Sequence, residues 1–174
     1  AIVIARGETS YSVPLWVSDL ASFRRWTQSD EYPEQAKALF YDGDVFLDEP
    51  MEKQLHGEIK GAISAAIRYW SSQHLPGITH IDKMRFTNEE AKFSSEPDVL
   101  FVSDDTLDAG VVPLQDGDKA LEVEGSPDLV VEIISPSSFQ KDNITLKRKY
   151  AEAGVREYWL ADSRTTPSLV IYQR

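Results

Sequence analysis

The feature that most limits how this chain can fold is an apolar run at residues 128–134, which reads DLVVEII. A strand that is apolar at nearly every position is typical of the centre of a sheet covered on both faces. Because side chains alternate along a strand, Glu132 shares one face with Val130 and Ile134. A buried carboxylate is costly unless it is paired or bound to a metal. The run therefore predicts a central strand that carries either a structural ion pair or a metal ligand.

A second carboxylate stands at the start of another apolar strand. In the stretch EPDVLFV, residues 96–102, Asp98 follows Pro97, which favours an extended chain. An aspartate at a strand end often faces water, so this residue alone is weak evidence for a site. If the strands of Asp98 and Glu132 are neighbours, the two carboxylates can share a divalent cation with oxygen ligands at roughly 2.0–2.5 Å. The pair predicts a site for a divalent metal ion.

Candidate cationic and imidazole groups lie on the adjoining segments. Lys141 stands at the entrance of the helix after the Glu132 strand, where an ammonium could orient water or stabilise charge on a phosphate. Lys147 raises the same question six residues further along the chain. His56 falls four residues after Glu52 on one face of a predicted helix, so both are candidate metal ligands. The alternatives are solvated surface lysines and a histidine at the edge of the core.

Composition narrows the classes of protein. The chain has 174 residues and is 41% hydrophobic, which suits one globular domain. It has no cysteine, so disulfides and thiolate zinc sites are excluded, and cytoplasm is the expected compartment. No apolar stretch is long enough to span a bilayer. The net charge of −11 argues against binding nucleic acid through bulk electrostatics, but not against an enzyme that meets phosphates through bound cations.

The pattern along the chain predicts helices that interrupt a mixed sheet, so an α/β fold is expected. A capped helix is predicted at 18–26 and a hairpin at 38–48 around Asp42-Gly43. The apolar positions of the long helix 52–73 are Leu55, Ile59, Ile63, Ala66, Ile67 and Trp70. Further predicted elements are strands at 78–86 and 91–102, a long acidic surface loop at 103–127, a helix at 144–153, and strands at 157–161 and 168–172.

Several stretches taken together resemble the Uma-two family of restriction endonucleases, which belongs to the PD-(D/E)XK nuclease superfamily. The resemblance covers nearly the whole chain, and its most specific part is PDLVVEIISPSS followed by YAEAGVREYWLAD. The stretches SEPDVLFV, KD and MEKQLH and the segment from residue 19 to 49 also match. The resemblance implies a restriction-endonuclease-like core, a mixed sheet flanked by helices. It also implies a single domain over 1–174, with an N-terminal helix and hairpin in 1–50 and the nuclease core in 51–174.

The resemblance also assigns roles to residues. Asp98 matches the aspartate of the PD motif, Glu132 matches the acid of the second motif, and the backbone carbonyl of Ile133 would be a further ligand of Mg²⁺ or Mn²⁺. The implied reaction is metal-dependent hydrolysis of DNA phosphodiester bonds. Nucleases that cut both strands of a duplex commonly act in pairs, so a homodimer is expected as well.

One departure from the family pattern opens an alternative. The motif lysine should stand two residues after the acid, but Ile134 occupies that position. Among the lysines further along the chain, Lys141 is the first choice as its replacement and Lys147 the second. Without a lysine in place, the chain could instead be a non-catalytic binding or assembly module on a nuclease scaffold. A sugar hydrolase with two carboxylates ranks last, because the tryptophans have the spacing of core residues.

Overall fold

The computed structural model describes residues 2–6, 9–33, 36–48, 54–116, 119–134, 141–162, 164 and 167–174. The helices are α1 (Leu20–Thr27), α2 (Gln54–His74), α3 (Asp104–Asp108) and α4 (Lys147–Glu152), and a π-helical turn (Lys141–Leu146) precedes α4. The strands are β1 (Ile2–Arg6), β2 (Thr9–Val13), β3 (Lys37–Tyr41), β4 (Asp44–Asp48), β5 (Gly77–Ile81), β6 (Arg85–Asn88), β7 (Phe93–Ser95), β8 (Val99–Ser103), β9 (Val112–Asp116), β10 (Lys119–Glu124), β11 (Leu129–Ile133), β12 (Glu157–Asp162) and β13 (Ser168–Gln173).

Within the described residues these strands form three sheets. A six-stranded sheet has the order β4-β3-β7-β6-β10-β9, a five-stranded sheet has the order β13-β12-β11-β8-β5, and β1 pairs with β2 alone. Both large sheets are mixed, because β11 runs parallel to β12 and β10 runs parallel to β6 while their other pairings are antiparallel. The prediction of an α/β fold with mixed sheets flanked by helices is confirmed.

The layers are held together by three apolar clusters. Phe23 and Trp26 of α1 cover the outer face of the six-stranded sheet. Ile67 of α2 packs on the outer face of the five-stranded sheet. The largest cluster lies between the two sheets and includes Leu146 and Tyr150 from the turn before α4 and from α4 itself. The face of β11 that carries Glu132 therefore looks into the space between the sheets, and Val131 looks toward α2.

The predicted helix cap and hairpin turn in the N-terminal part of the chain are both present in the structure. Asp19 caps α1 as predicted, since its carboxylate accepts a hydrogen bond from the backbone N–H of Ser22 at 2.7 Å and the Ser22 hydroxyl accepts one from the Asp19 backbone at 3.0 Å. Asp42 and Gly43 both have positive φ, at 54° and 87°. Two consecutive left-handed residues make the tight turn that joins β3 to β4, which confirms the predicted hairpin.

Two predicted regions were wrong. Residues 103–127 are not a surface loop, since this segment contains α3, β9 and β10, and Val123 of β10 is fully buried. The two long strands predicted at 78–86 and 91–102 are four short strands, divided between the two large sheets. Asp82 and Lys83 break the first of them with positive φ at 51° each. Apolar continuity does not reveal such a corner, because both halves remain apolar.

The buried stripe of α2 also differs from the predicted one. Leu55 and Trp70 are 50% and 52% exposed, and Ile67 is buried. Lys60 and Ser64 are buried next to it. The helix covers a sheet end that carries polar groups, so its inner face is more polar than its apolar pattern indicates. No described helix combines the length and the apolar character needed to cross a membrane.

Candidate active site

The strand register places the two predicted carboxylates opposite each other. In the antiparallel pair of β8 and β11, Val99 faces Val131. The next step along both strands brings Asp98 opposite Glu132. Both side chains are buried, with 9% and 3% of their surface exposed. Two carboxylates so close in the interior repel each other unless a cation lies between them.

That cation is the ammonium of Lys37. Its Nζ atom lies 3.1 Å from Asp98 Oδ1 and 3.5 Å from Glu132 Oε2. Lys37 is the first residue of β3, which belongs to the six-stranded sheet, whereas both carboxylates lie on the five-stranded sheet. The site therefore spans the interface between the sheets.

The second oxygen of Glu132 is held by a buried tyrosine. The Tyr150 hydroxyl donates to Glu132 Oε1 at 2.6 Å, and it lies 3.0 Å from the Ser95 hydroxyl. Tyr150 projects from α4 and packs against Phe86, Phe93 and Tyr158. A short hydrogen bond from a fixed ring to an ionised oxygen defines the rotamer of the carboxylate.

The second oxygen of Asp98 is held by β11 and approached by α2. The backbone N–H of Ile133 donates to Asp98 Oδ2 at 2.8 Å. His56 Nε2 lies 3.3 Å from the same oxygen, yet this buried nitrogen has no well-formed hydrogen bond. The structure thus brings His56 to Asp98, as the sequence suggested, and leaves a nitrogen whose bonding capacity is unmet.

Burial and charge act in opposite directions on these groups. Burial alone would lower the pKa of Lys37, but Asp98 and Glu132 outweigh it and raise that pKa well above its ordinary value. Burial would raise the pKa of Asp98, but Lys37, His56 and the Ile133 N–H hold it well below its usual range. The pKa of Tyr150 is raised by burial and by the charge on Glu132. The site therefore holds an ionised aspartate, an ammonium and a neutral phenol near neutral pH.

The donor set fits a hard divalent cation. Asp98 Oδ1 and Glu132 Oε2 both face one positive charge, and carboxylate oxygens are the ligands that Mg²⁺ prefers. The unmet His56 nitrogen is a further candidate donor. Within the described residues, however, histidine and carboxylate side chains do not gather in threes as a ready-made metal centre. A cation bound here would rely on backbone or solvent oxygens to complete its coordination.

The other predicted site residues either lie away from the carboxylates or belong to parts of the chain that the structure does not describe. Glu52 lies outside the described residues, and Lys141 opens the π-helical turn but its side chain is not described. Lys147 is not brought to the carboxylates, since its Nζ lies 3.9 Å from the ring centroid of Tyr172 on β13. Ile134, at the position of the motif lysine, is buried in the cluster between the sheets.

Sequence reasoning missed Lys37 and Tyr150 as members of the site. Lys37 stands just before the predicted strand at 38–41, and nothing near it in sequence hints at a carboxylate partner 61 and 95 residues away. Tyr150 falls within the helix predicted at 144–153, and a buried tyrosine hydroxyl needs a hydrogen-bond partner. Its need for a partner, together with the need of the buried Glu132 for a donor, was the one sequence signal that could have joined the two residues.

Comparisons with known proteins identify a family and a similar fold. A model of the Uma2 (Uma-two) family, with the description "Putative restriction endonuclease", matches residues 20–174. The fold is similar to a crystal structure of a putative nuclease belonging to DUF820 from Anabaena variabilis ATCC 29413, with a TM-score of 0.62 and 17% identity over 90% of this chain and 84% of that one. No curated protein matches. Since the family model spans most of the sequence, this chain belongs to the Uma2 family.

Proposed function

We propose that the chain is a divalent-metal-dependent endonuclease that hydrolyses DNA phosphodiester bonds, with Asp98 and Glu132 as metal ligands. The observation that carries the proposal is that Asp98 Oδ1 and Glu132 Oε2 converge on one positive charge, the Lys37 ammonium, where β8 and β11 meet. Membership in a family of nucleases supports the choice of reaction. Mg²⁺ is the expected ion, with Mn²⁺ as its substitute, and the Ile133 carbonyl is a proposed third ligand.

The protein's own contribution is to fix the carboxylates before the substrate arrives. Tyr150 holds Glu132 Oε1 and the Ile133 N–H holds Asp98 Oδ2, so the opposite oxygens of both groups face the same space. A divalent cation bound there would polarise the phosphate and lower the pKa of a coordinated water. In the overall reaction the oxygen of a water molecule forms the new bond to phosphorus and gives up a proton. The bond from phosphorus to the leaving sugar oxygen breaks, and the leaving oxygen takes up a proton.

The acidic chain suits this mode of contact. With a net charge of −11, the protein as a whole repels a polyanion. A divalent cation held by Asp98 and Glu132 would make the local electrostatic potential favourable for a phosphate. The proposal therefore predicts that DNA binding near the site depends on the metal.

Cleavage of supercoiled plasmid tests this function. With Mg²⁺ or Mn²⁺ we expect nicked and linear products from the natural chain, and at least a 100-fold lower rate from Asp98→Ala and Glu132→Gln. Glu90→Ala removes an exposed turn carboxylate and is the matched control. Undiminished cleavage by Asp98→Ala would place the activity at another site or in a contaminant.

A non-catalytic binding or assembly module is the second candidate. It is favoured by one observation, namely that Lys37 already neutralises part of the charge on both carboxylates without a metal. Titration calorimetry separates the two candidates. Failure of the natural chain to bind Mn²⁺ at millimolar concentration would support the module. Self-association as a homodimer and a cytoplasmic location stay predictions in either case.

A further inference from the structure

We propose that Lys37 supplies the cationic side chain of this active site, in place of the lysine that the sequence lacks at position 134. The inference rests on the proposed function and adds a residue to it. Lys37 belongs to the N-terminal hairpin, so the site would be composite, with carboxylates from one sheet and the ammonium from the other.

Position 134 is filled by core packing. Ile134 lies in the cluster between the sheets together with Leu146 and Tyr150, and it is 6% exposed. An ammonium at this position would displace apolar contacts and lose its hydration, both at high cost. The Lys37 side chain reaches the carboxylates from across the interface between the sheets, and its contacts with Asp98 and Glu132 offset the cost of its own burial.

Other described lysines on neighbouring elements are directed to other partners. Lys149 pairs with Asp42, and Lys147 covers the ring of Tyr172. Lys60 pairs with Asp82 at the corner after β5. The contact of Lys37 with both Asp98 and Glu132 thus distinguishes it from these three.

The distribution of the oxygens supports a working role for Lys37. Each carboxylate has one oxygen fixed by the scaffold, through Tyr150 or the Ile133 N–H, and one oxygen directed at Lys37. The scaffold therefore holds both carboxylates in place even if the ammonium moves. The Lys37 side chain is 16% exposed, against 3% for Glu132, so it approaches from the more open side of the site.

The charges balance when all partners are present. Two carboxylates and one ammonium leave one net negative charge, which attracts a divalent cation. With that cation added, the site carries one net positive charge, and a single phosphodiester group neutralises it. Without Lys37, the metal and the carboxylates would cancel, and the site would lose its attraction for the phosphate. The ammonium therefore fits a role in binding the substrate phosphate and stabilising the charge that develops on it.

The test compares Lys37→Met, Lys37→Arg and the exposed-turn control Lys92→Met in two measurements. Calorimetry with Mn²⁺ alone reports on the metal site, and plasmid nicking with Mn²⁺ reports on the reaction. We expect Lys37→Met to bind Mn²⁺ at least as tightly as the natural chain, because a competing cation is gone, while its cleavage falls about 100-fold. Lys37→Arg should recover part of the rate, and Lys92→Met should match the natural chain.

Two results would overturn the role of Lys37 and leave the proposed function standing: cleavage by Lys37→Met within threefold of the natural rate, or loss of Mn²⁺ binding as complete as in Asp98→Ala. The second would make Lys37 a structural counter-ion. A natural chain that neither binds Mn²⁺ nor cleaves overturns the proposed function itself, and the two failures are therefore distinguishable. Circular dichroism of each variant identifies any that fails to fold, and Lys37→Gln then replaces Lys37→Met.

Discussion

Lys37 Nζ lies 3.1 Å from Asp98 Oδ1, although 61 positions separate the two residues in sequence. The contact joins the first strand of the hairpin to the end of a core strand in the other sheet. It makes the hairpin part of the candidate site. Variation in the hairpin should therefore affect the site directly.

Tyr150→Phe tests how the position of Glu132 is fixed. The change removes a hydroxyl that donates to Glu132 Oε1 at 2.6 Å and keeps the packing of the ring. Hydrogen bonds to charged groups contribute about 1.5–3 kcal/mol, so we expect a loss of that size in the free energy of unfolding and a slower cleavage. Urea denaturation measures the first quantity. Tyr69→Phe removes an exposed hydroxyl and should change stability by less than about 0.5 kcal/mol.

The ionised state of Asp98 predicts a specific pH dependence of stability in metal-free protein. Burial opposes its charge, but Lys37 and other partners hold the pKa of Asp98 well below the ordinary 3.8. A depressed carboxyl pKa stabilises the fold fully above the unfolded value and loses this contribution as the pH falls below it. We expect the difference in unfolding free energy between the natural chain and Asp98→Asn to be constant above pH 5. It should shrink below pH 4, by about 1.4 kcal/mol per unit at its steepest. A difference that is flat down to pH 2 would contradict this pairing.

The carboxylates and the fold class were accessible from sequence because they leave local traces. Glu132 interrupts an apolar strand, and Asp98 starts another, so alternation alone puts each on a definite face. The family resemblance then assigned the two carboxylates to one site. Asp19 and the Asp42-Gly43 turn were equally readable, since a cap and a tight turn are each decided by a few adjacent residues.

The role of Lys37 and the breaks in the predicted strands could not be predicted from the sequence, because both depend on tertiary contacts. In the sequence Lys37 looks like an ordinary lysine at a strand end, and only the packing of the two sheets brings it to the carboxylates. The corner at Asp82 and Lys83 depends on backbone geometry that lysine rarely adopts. The acidic segment 103–127 was mistaken for a loop because its charges hide β10, where the fully buried Val123 stands between Glu122 and Glu124.

Asp128→Ala tests a structural carboxylate on the same strand pair. Its oxygens accept hydrogen bonds from the Ser103 backbone N–H at 2.7 Å and the Thr106 hydroxyl at 2.8 Å, which attach α3 to the sheet. The change leaves a buried N–H without its acceptor, at a cost of about 1–3 kcal/mol. Thermal unfolding should show the loss, and Mn²⁺ affinity should stay as it is. Asp105→Ala, on the exposed side of α3, is the control.

Binding of Mn²⁺ to the folded state should raise its stability in a way that depends on both carboxylates. A ligand present at 100 times its Kd and bound only by the folded chain adds about 2.7 kcal/mol to the free energy of unfolding. We expect this gain for the natural chain and its loss in Glu132→Gln, which keeps an acceptor for the Tyr150 hydroxyl but removes the charge facing Lys37. Differential scanning fluorimetry with and without Mn²⁺ measures the shift, and addition of a chelator should reverse it. An equal gain in Glu132→Gln would mean that the ion binds elsewhere on this acidic protein.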